Sequence, residues 1–195
     1  WPNMSTPNYW ATSYIGHFLQ EAKKRGYNVS PNILSGWKRY QQNEANSWSP
    51  KRAYDNTDLT QAYRLYTLAL SGNAQMGVMN RLRDVENLSV AARWRLATAY
   101  EVAGAKSAGE KLIASLTTEV STPDLYTSFG SLLRDKAMLL ESLTRLRKTE
   151  QAVELLQSIA KEMSGAKWLS TQEIGFAMLA VSQFAKESKL AADGV

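Results

Sequence analysis

The chain contains no cysteine among its 195 residues. That excludes disulfides, thiol nucleophiles and thiolate metal sites, and it leaves the redox compartment open. Histidine occurs once, at His17, so no second imidazole or thiolate exists to complete a metal or catalytic set. No apolar run approaches the roughly 20 residues a membrane-spanning helix needs. The start, Trp1-Pro2-Asn3, has neither the basic region nor the apolar stretch of a secretory signal. A concentrated basic patch is also missing, although the net charge is +5. The short clusters Lys23-Lys24-Arg25 and Arg145-Leu146-Arg147-Lys148 fall where helices should end, and there cations complement the macrodipole. They fit capping better than a nucleic-acid footprint. Few segments alternate polar and apolar residues at period two, so essentially no sheet is expected. There is no glycine-rich phosphate loop and no nucleophile elbow.

What is present is helical periodicity. Hydrophobic residues make up 44% and aromatics 10%, enough for one sizeable core or two small ones. Two tandem helical hairpins dominate residues 58–116. Tyr63-Arg64-Leu65 aligns with Trp94-Arg95-Leu96 at an offset of 31, and Gly72 aligns with Gly104 at 32. Each unit reads as a helix, a glycine stop and a returning helix, which needs stacked neighbours to bury its apolar face. Upstream, a helix over 8–25 carries the stripe Ala11, Tyr14, Ile15, Phe18, Leu19 and Ala22, expected to face the core. Ser30-Pro31 opens a second helix with Ile33, Leu34 and Trp37 inward, ending near Gln42. A loop to Thr57 follows, with a helical turn over 51–54. Downstream of a break at Ser121-Thr122-Pro123-Asp124, a third hairpin spans 128–147 and 149–163. A last helix over 171–189 carries Ile174, Met178, Val181 and Phe184. The tail 190–195 should fray. The fold class expected is all-α, a single domain over 1–195.

Catalytic candidates are few. His17 lies one residue off the first stripe and reads as a packed or boundary histidine. The carboxylate pairs Asp84/Glu86 and Asp55/Asp58 flank helix starts or loops, so dipole and capping roles explain them more simply than acid–base chemistry. No enzyme activity, cofactor or metal is expected.

Several segments together resemble the thioester domain of bacterial alpha-2-macroglobulin-type proteins. They are Trp10-Ala11-Thr12-Ser13-Tyr14-Ile15-Gly16-His17-Phe18-Leu19-Gln20-Glu21-Ala22-Lys23, Gln61-Ala62-Tyr63-Arg64-Leu65-Tyr66, Met79-Asn80-Arg81-Leu82-Arg83 and Ala92-Arg93-Trp94-Arg95-Leu96-Ala97. Further on come Leu133-Arg134-Asp135-Lys136-Ala137-Met138-Leu139-Leu140-Glu141 and Trp168-Leu169-Ser170-Thr171-Gln172, the last similar also to complement thioester proteins. The resemblance covers nearly the whole chain, in order. It implies helical hairpins closed into an α/α toroid, of which about four and a half are readable here against six in the family's ring. The upstream part would hold the family's Cys-x-Glu-Gln thioester motif, for which this stretch has no cysteine.

A chain opening on Trp1 fits a piece of a larger protein. The family's function, protease trapping by a hidden electrophile, implies target proteases and other domains of the same chain as partners, a periplasmic or cell-envelope location, and no nucleic acid or membrane contact by this stretch. Residues expected to bury a neighbouring domain or shield the reactive face are Trp1, Tyr9, Trp10, Trp48 and Trp168, with Gln172 beside the last. The rivals are an open tetratricopeptide-like scaffold, whose Trp, Gly, Tyr and Pro consensus is not met, and a toroid-shaped enzyme such as a terpenoid cyclase or glycosidase, whose acidic clusters are not found. Parallel inner helices closing on themselves would favour the toroid.

Overall fold

The computed structural model describes residues 7–50, 56–120, 126–165 and 167–192. Among them are nine helices and no strand. The helical turn expected over 51–54 and the break at 121–124 lie outside the described residues. Contacts gather the chain into two compact units: Trp1–Ala114 with Tyr126–Ser128, and Ser115–Leu125 with Phe129–Val195.

The first unit holds α1 (Tyr9–Lys24), α2 (Pro31–Ser47), α3 (Asp58–Leu70), α4 (Met76–Arg83), α5 (Val90–Val102) and α6 (Lys106–Ile113). The glycine stops behave as their alignment predicts. Gly72 has φ 73° and Gly104 φ 78°, the left-handed conformation in which a Cβ is costly. After α3, Gly72 N–H donates to Ala69 O and Asn73 N–H to Leu68 O; after α5, Gly104 donates to Glu101 O and Ala105 to Tyr100 O. Both are the paired bonds of a Schellman stop. The starts are capped by side chains as well. Thr57 Oγ1 accepts from Thr60 N–H and Ser89 Oγ from Ala92 N–H, each at 3.2 Å.

α3 is the centre of this unit. It packs against α1, α2, α4 and α5, and every residue from Leu59 to Ala69 is buried. A helix enclosed on all sides is a core element rather than the amphipathic surface helix its stripe suggests. Its neighbours α1 and α5 run in the same direction. Asp58 Oδ2 at the start of α3 accepts from Ser89 N–H at the start of α5, 2.6 Å away. On the other side, Trp10 near the start of α1 stacks on Tyr63, ring centroids 4.8 Å apart, and His17 further along α1 meets Tyr66. α2 runs opposite to α1, since Gln41 reaches Ser13 while Trp37 reaches Thr12 and lies against Gly16.

The second unit holds α7 (Leu132–Arg145), α8 (Thr149–Met163) and α9 (Thr171–Ala192), with α7 packed against both others. α7 and α8 are antiparallel, tied by Lys136 to Ser158 and Glu162. α7 and α9 start side by side, as described below.

Two expected faces are inward only in part, with Ala11, Tyr14, Leu19 and Ala22 of α1 and Val181 and Phe184 of α9 half-buried. In α1 the buried residues are Trp10, Ser13, Gly16, His17 and Glu21, whereas Ile15 is 53% and Phe18 67% exposed. In α9 the inward side chains are Glu173, Phe176, Ala177 and Ala180, whereas Ile174 and Met178 face out. The physical reason is close approach. Gly16 leaves room for the Trp37 indole, and Ser13 and His17 are held by hydrogen bonds that a hydropathy stripe does not count. Ile33 is likewise exposed where an inward position was expected, and α2 runs to Ser47, beyond the expected end near Gln42.

Candidate functional site

The residues singled out from sequence part company in the structure. Trp1 lies outside the described residues. Trp10 is fully buried against Tyr63, so it is a core side chain and not part of any surface. Tyr9 is half-buried, its ring under the Arg64 guanidinium at 5.5 Å. Trp48 is half-buried too, and its indole N–H donates to Asn56 O at 2.7 Å. These two aromatics are part of unit-one packing. Only Trp168 stands out into solvent, at 82% exposure, with Gln172 half-buried one turn on. Among the described residues Trp168 finds no seat against its own helices.

Trp168 sits just before a well-built helix start. Ser170 is the N-cap of α9: its Oγ accepts from Glu173 N–H at 3.3 Å, while Glu173 Oε2 accepts from Ser170 N–H at 2.7 Å. This reciprocal capping box satisfies two of the donors a helix start leaves open. Glu173 also takes a hydrogen bond from the hydroxyl of Ser131, the N-cap of α7, and so joins the two helix starts. Burial pushes its carboxyl up, but the bonds from Ser170 and Ser131 and the charge of Lys167 outweigh that and hold it below the ordinary range. Asp58 joins α3 to α5 in the same manner. In each unit, then, a carboxylate at one helix start pins the start of its parallel neighbour. Asp58 was read from sequence as a capping carboxylate; that its second oxygen serves another helix was not legible there.

Three buried arginines were missed. Arg64, Arg95 and Arg134 are at most 1% exposed. Arg64 donates from Nε to Gln41 Oε1 at 3.2 Å, from one terminal nitrogen to Asn56 Oδ1 at 3.0 Å, and from the other to Gln61 Oε1. Three neutral amides replace the water its fork would have, and burial pulls its pKa down to about 10 against the opposing charge of Glu44. Arg95 lies over the Tyr66 ring at 4.6 Å and the Tyr63 ring at 5.7 Å. His17 meets the same two rings, its Nδ1 hydrogen-bonded to Tyr63 Oη at 3.0 Å. His17 is the packed histidine expected, 2% exposed and edge-on to both tyrosines. This pairing of imidazole and phenol links α1 to α3 from inside the core. Among the described residues no three His, Asp or Glu side chains are placed to hold a metal ion. No described helix is long and apolar enough to cross a membrane.

No protein-family profile matches the chain. Alpha-2-macroglobulin of Escherichia coli K12 is 28% identical over 195 residues, covering 92% of this chain and 12% of that protein. The crystal structure of native E. coli alpha-2-macroglobulin from domain MG7 to the C-terminus superposes with a TM-score of 0.76 at 25% identity, over 91% of this chain and 30% of that one. Over nearly its whole length the chain is similar to bacterial alpha-2-macroglobulins. The trypsin-activated E. coli alpha-2-macroglobulin matches too, at TM-score 0.73 and 25% identity, over 91% of this chain and 13% of that one. The chain thus spans about 12% of the length of its curated alpha-2-macroglobulin relative. Every segment quoted above for the resemblance falls within the nine helices or the residues flanking them.

Proposed function

We propose that the chain is scaffold of the thioester domain in a bacterial alpha-2-macroglobulin-like protease trap. In this reading the helical hairpins continue into an α/α toroid completed by hairpins outside this stretch, and the reactive motif lies outside it as well. The observation that carries the proposal is the match itself, which follows alpha-2-macroglobulin through nearly the whole chain rather than over one motif. The direction of the helices supports it. α1, α3 and α5 run in parallel, as α7 and α9 do, which suits alternate helices forming an inner layer. The open faces of α1 and α9 support it further, because a repeat helix with a neighbour on one side only leaves its other face bare. Ile15 and Phe18, and Ile174 and Met178, are such bare faces.

On this proposal the stretch performs no chemistry. Its role is to hold a domain rigid, and its partners are the other domains of its own chain and, through the whole protein, target proteases. The location is periplasmic or cell-envelope. Trp168, exposed beside a firmly capped helix start, is the residue proposed to cover or meet a neighbouring domain, with Gln172 next to it. The tetratricopeptide-like alternative is not favoured by the relatives found. The experiment is a pairwise one. The parent polypeptide is treated with trypsin in the presence of radiolabelled methylamine, and so is the isolated chain. Retention of trypsin by the parent, with no label on residues 1–195 in either sample, is expected. Label incorporated within 1–195, or a parent that ignores trypsin, refutes the proposal.

A further inference from the structure

We draw no further inference here: the strongest candidate, the exposed apolar side chains Phe129 and Leu132 at the start of α7 and Ile174 and Met178 on α9, carries none because nothing in the structure shows what covers them.

Discussion

Replacing Gly16 by alanine separates close packing from helix propensity at one position. Gly16 lies inside α1, where alanine is intrinsically better by roughly 0.5–1 kcal/mol. Yet a Cβ built on Gly16 meets Trp37 Cε2 and Cζ2 at 2.1 Å and Nε1 at 2.3 Å. The indole cannot simply slide away. Its ring is nearly buried, and its N–H donates to Thr12 O at 2.9 Å. Overpacking of this kind costs about 1–3 kcal/mol, and loss of the indole bond adds about 1–3 kcal/mol if the N–H stays buried. The net expectation for Gly16→Ala is destabilisation by ~2 kcal/mol, or a Tm lower by about 4–8 °C for a chain of this size. Urea unfolding followed by tryptophan fluorescence measures it. The control is Gly36→Ala in α2, where an added Cβ meets nothing within 4 Å and a gain of about 0.4–1 kcal/mol is expected. Trimming the clashing ring in the double variant Gly16→Ala/Trp37→Leu should recover part of the loss beyond additivity. A Gly16→Ala protein as stable as the parent sequence refutes the account of how α1 meets α2.

Other expectations follow from the same contacts. Arg64→Met strands three buried amide oxygens on Gln41, Gln61 and Asn56, and should cost about 2–4 kcal/mol in chemical denaturation. Arg64→Lys should recover little, because one ammonium cannot serve three partners held by a planar fork. Glu173 has its carboxyl held low in the folded state, so the stability it lends is present above about pH 4.3, where a free glutamate titrates, and is lost as pH falls through the lowered value. Glu173→Gln should flatten that acid limb and cost about 0.5–2 kcal/mol at neutral pH, the range of a lost cap. Trp168→Ala should leave the isolated chain within about 0.5 kcal/mol of its stability, as an exposed site does, while loosening a domain contact in the parent polypeptide. The isolated chain should also self-associate or bind a dye for apolar surface, and Phe18→Glu should reduce either signal; a monomeric, dye-silent chain over a wide concentration range speaks against a bare α1 face.

Much of the architecture was legible because its signals are local. Glycine stops, serine caps and the 31-residue offset between Tyr63 and Trp94 depend on neighbours in sequence, and α8 runs over the expected 149–163. The inward faces of α1 and α9 were legible only in part. Periodicity finds an apolar stripe, and both helices carry large apolar residues on the exposed side, Ile15 and Phe18 in α1 and Ile174 and Met178 in α9. Ser13, Gly16 and His17, or Ala177 and Ala180, are buried because they allow close approach or find partners on helices far away in sequence. The same holds for Arg64 and Arg95. Charge reads as surface, and only their recurrence at matching places in the two aligned triplets hinted that both point into one core. Of the candidate surface, sequence identified the Trp168 segment but not the carboxylate of Glu173 that builds it, and it placed Trp10 outside when its ring fills the gap beside Tyr63.

The central claim is that this stretch is inert scaffold within a protease-trapping protein, and the parent polypeptide offers its most direct test. Trypsin is added to that polypeptide, the mixture is separated by size, and peptide mapping locates any bond formed to the protease or to added methylamine. The account predicts that trypsin stays with the polypeptide and that every such bond lies outside residues 1–195. Free trypsin beside an unaltered polypeptide, or a bond mapped to a side chain within 1–195, contradicts it.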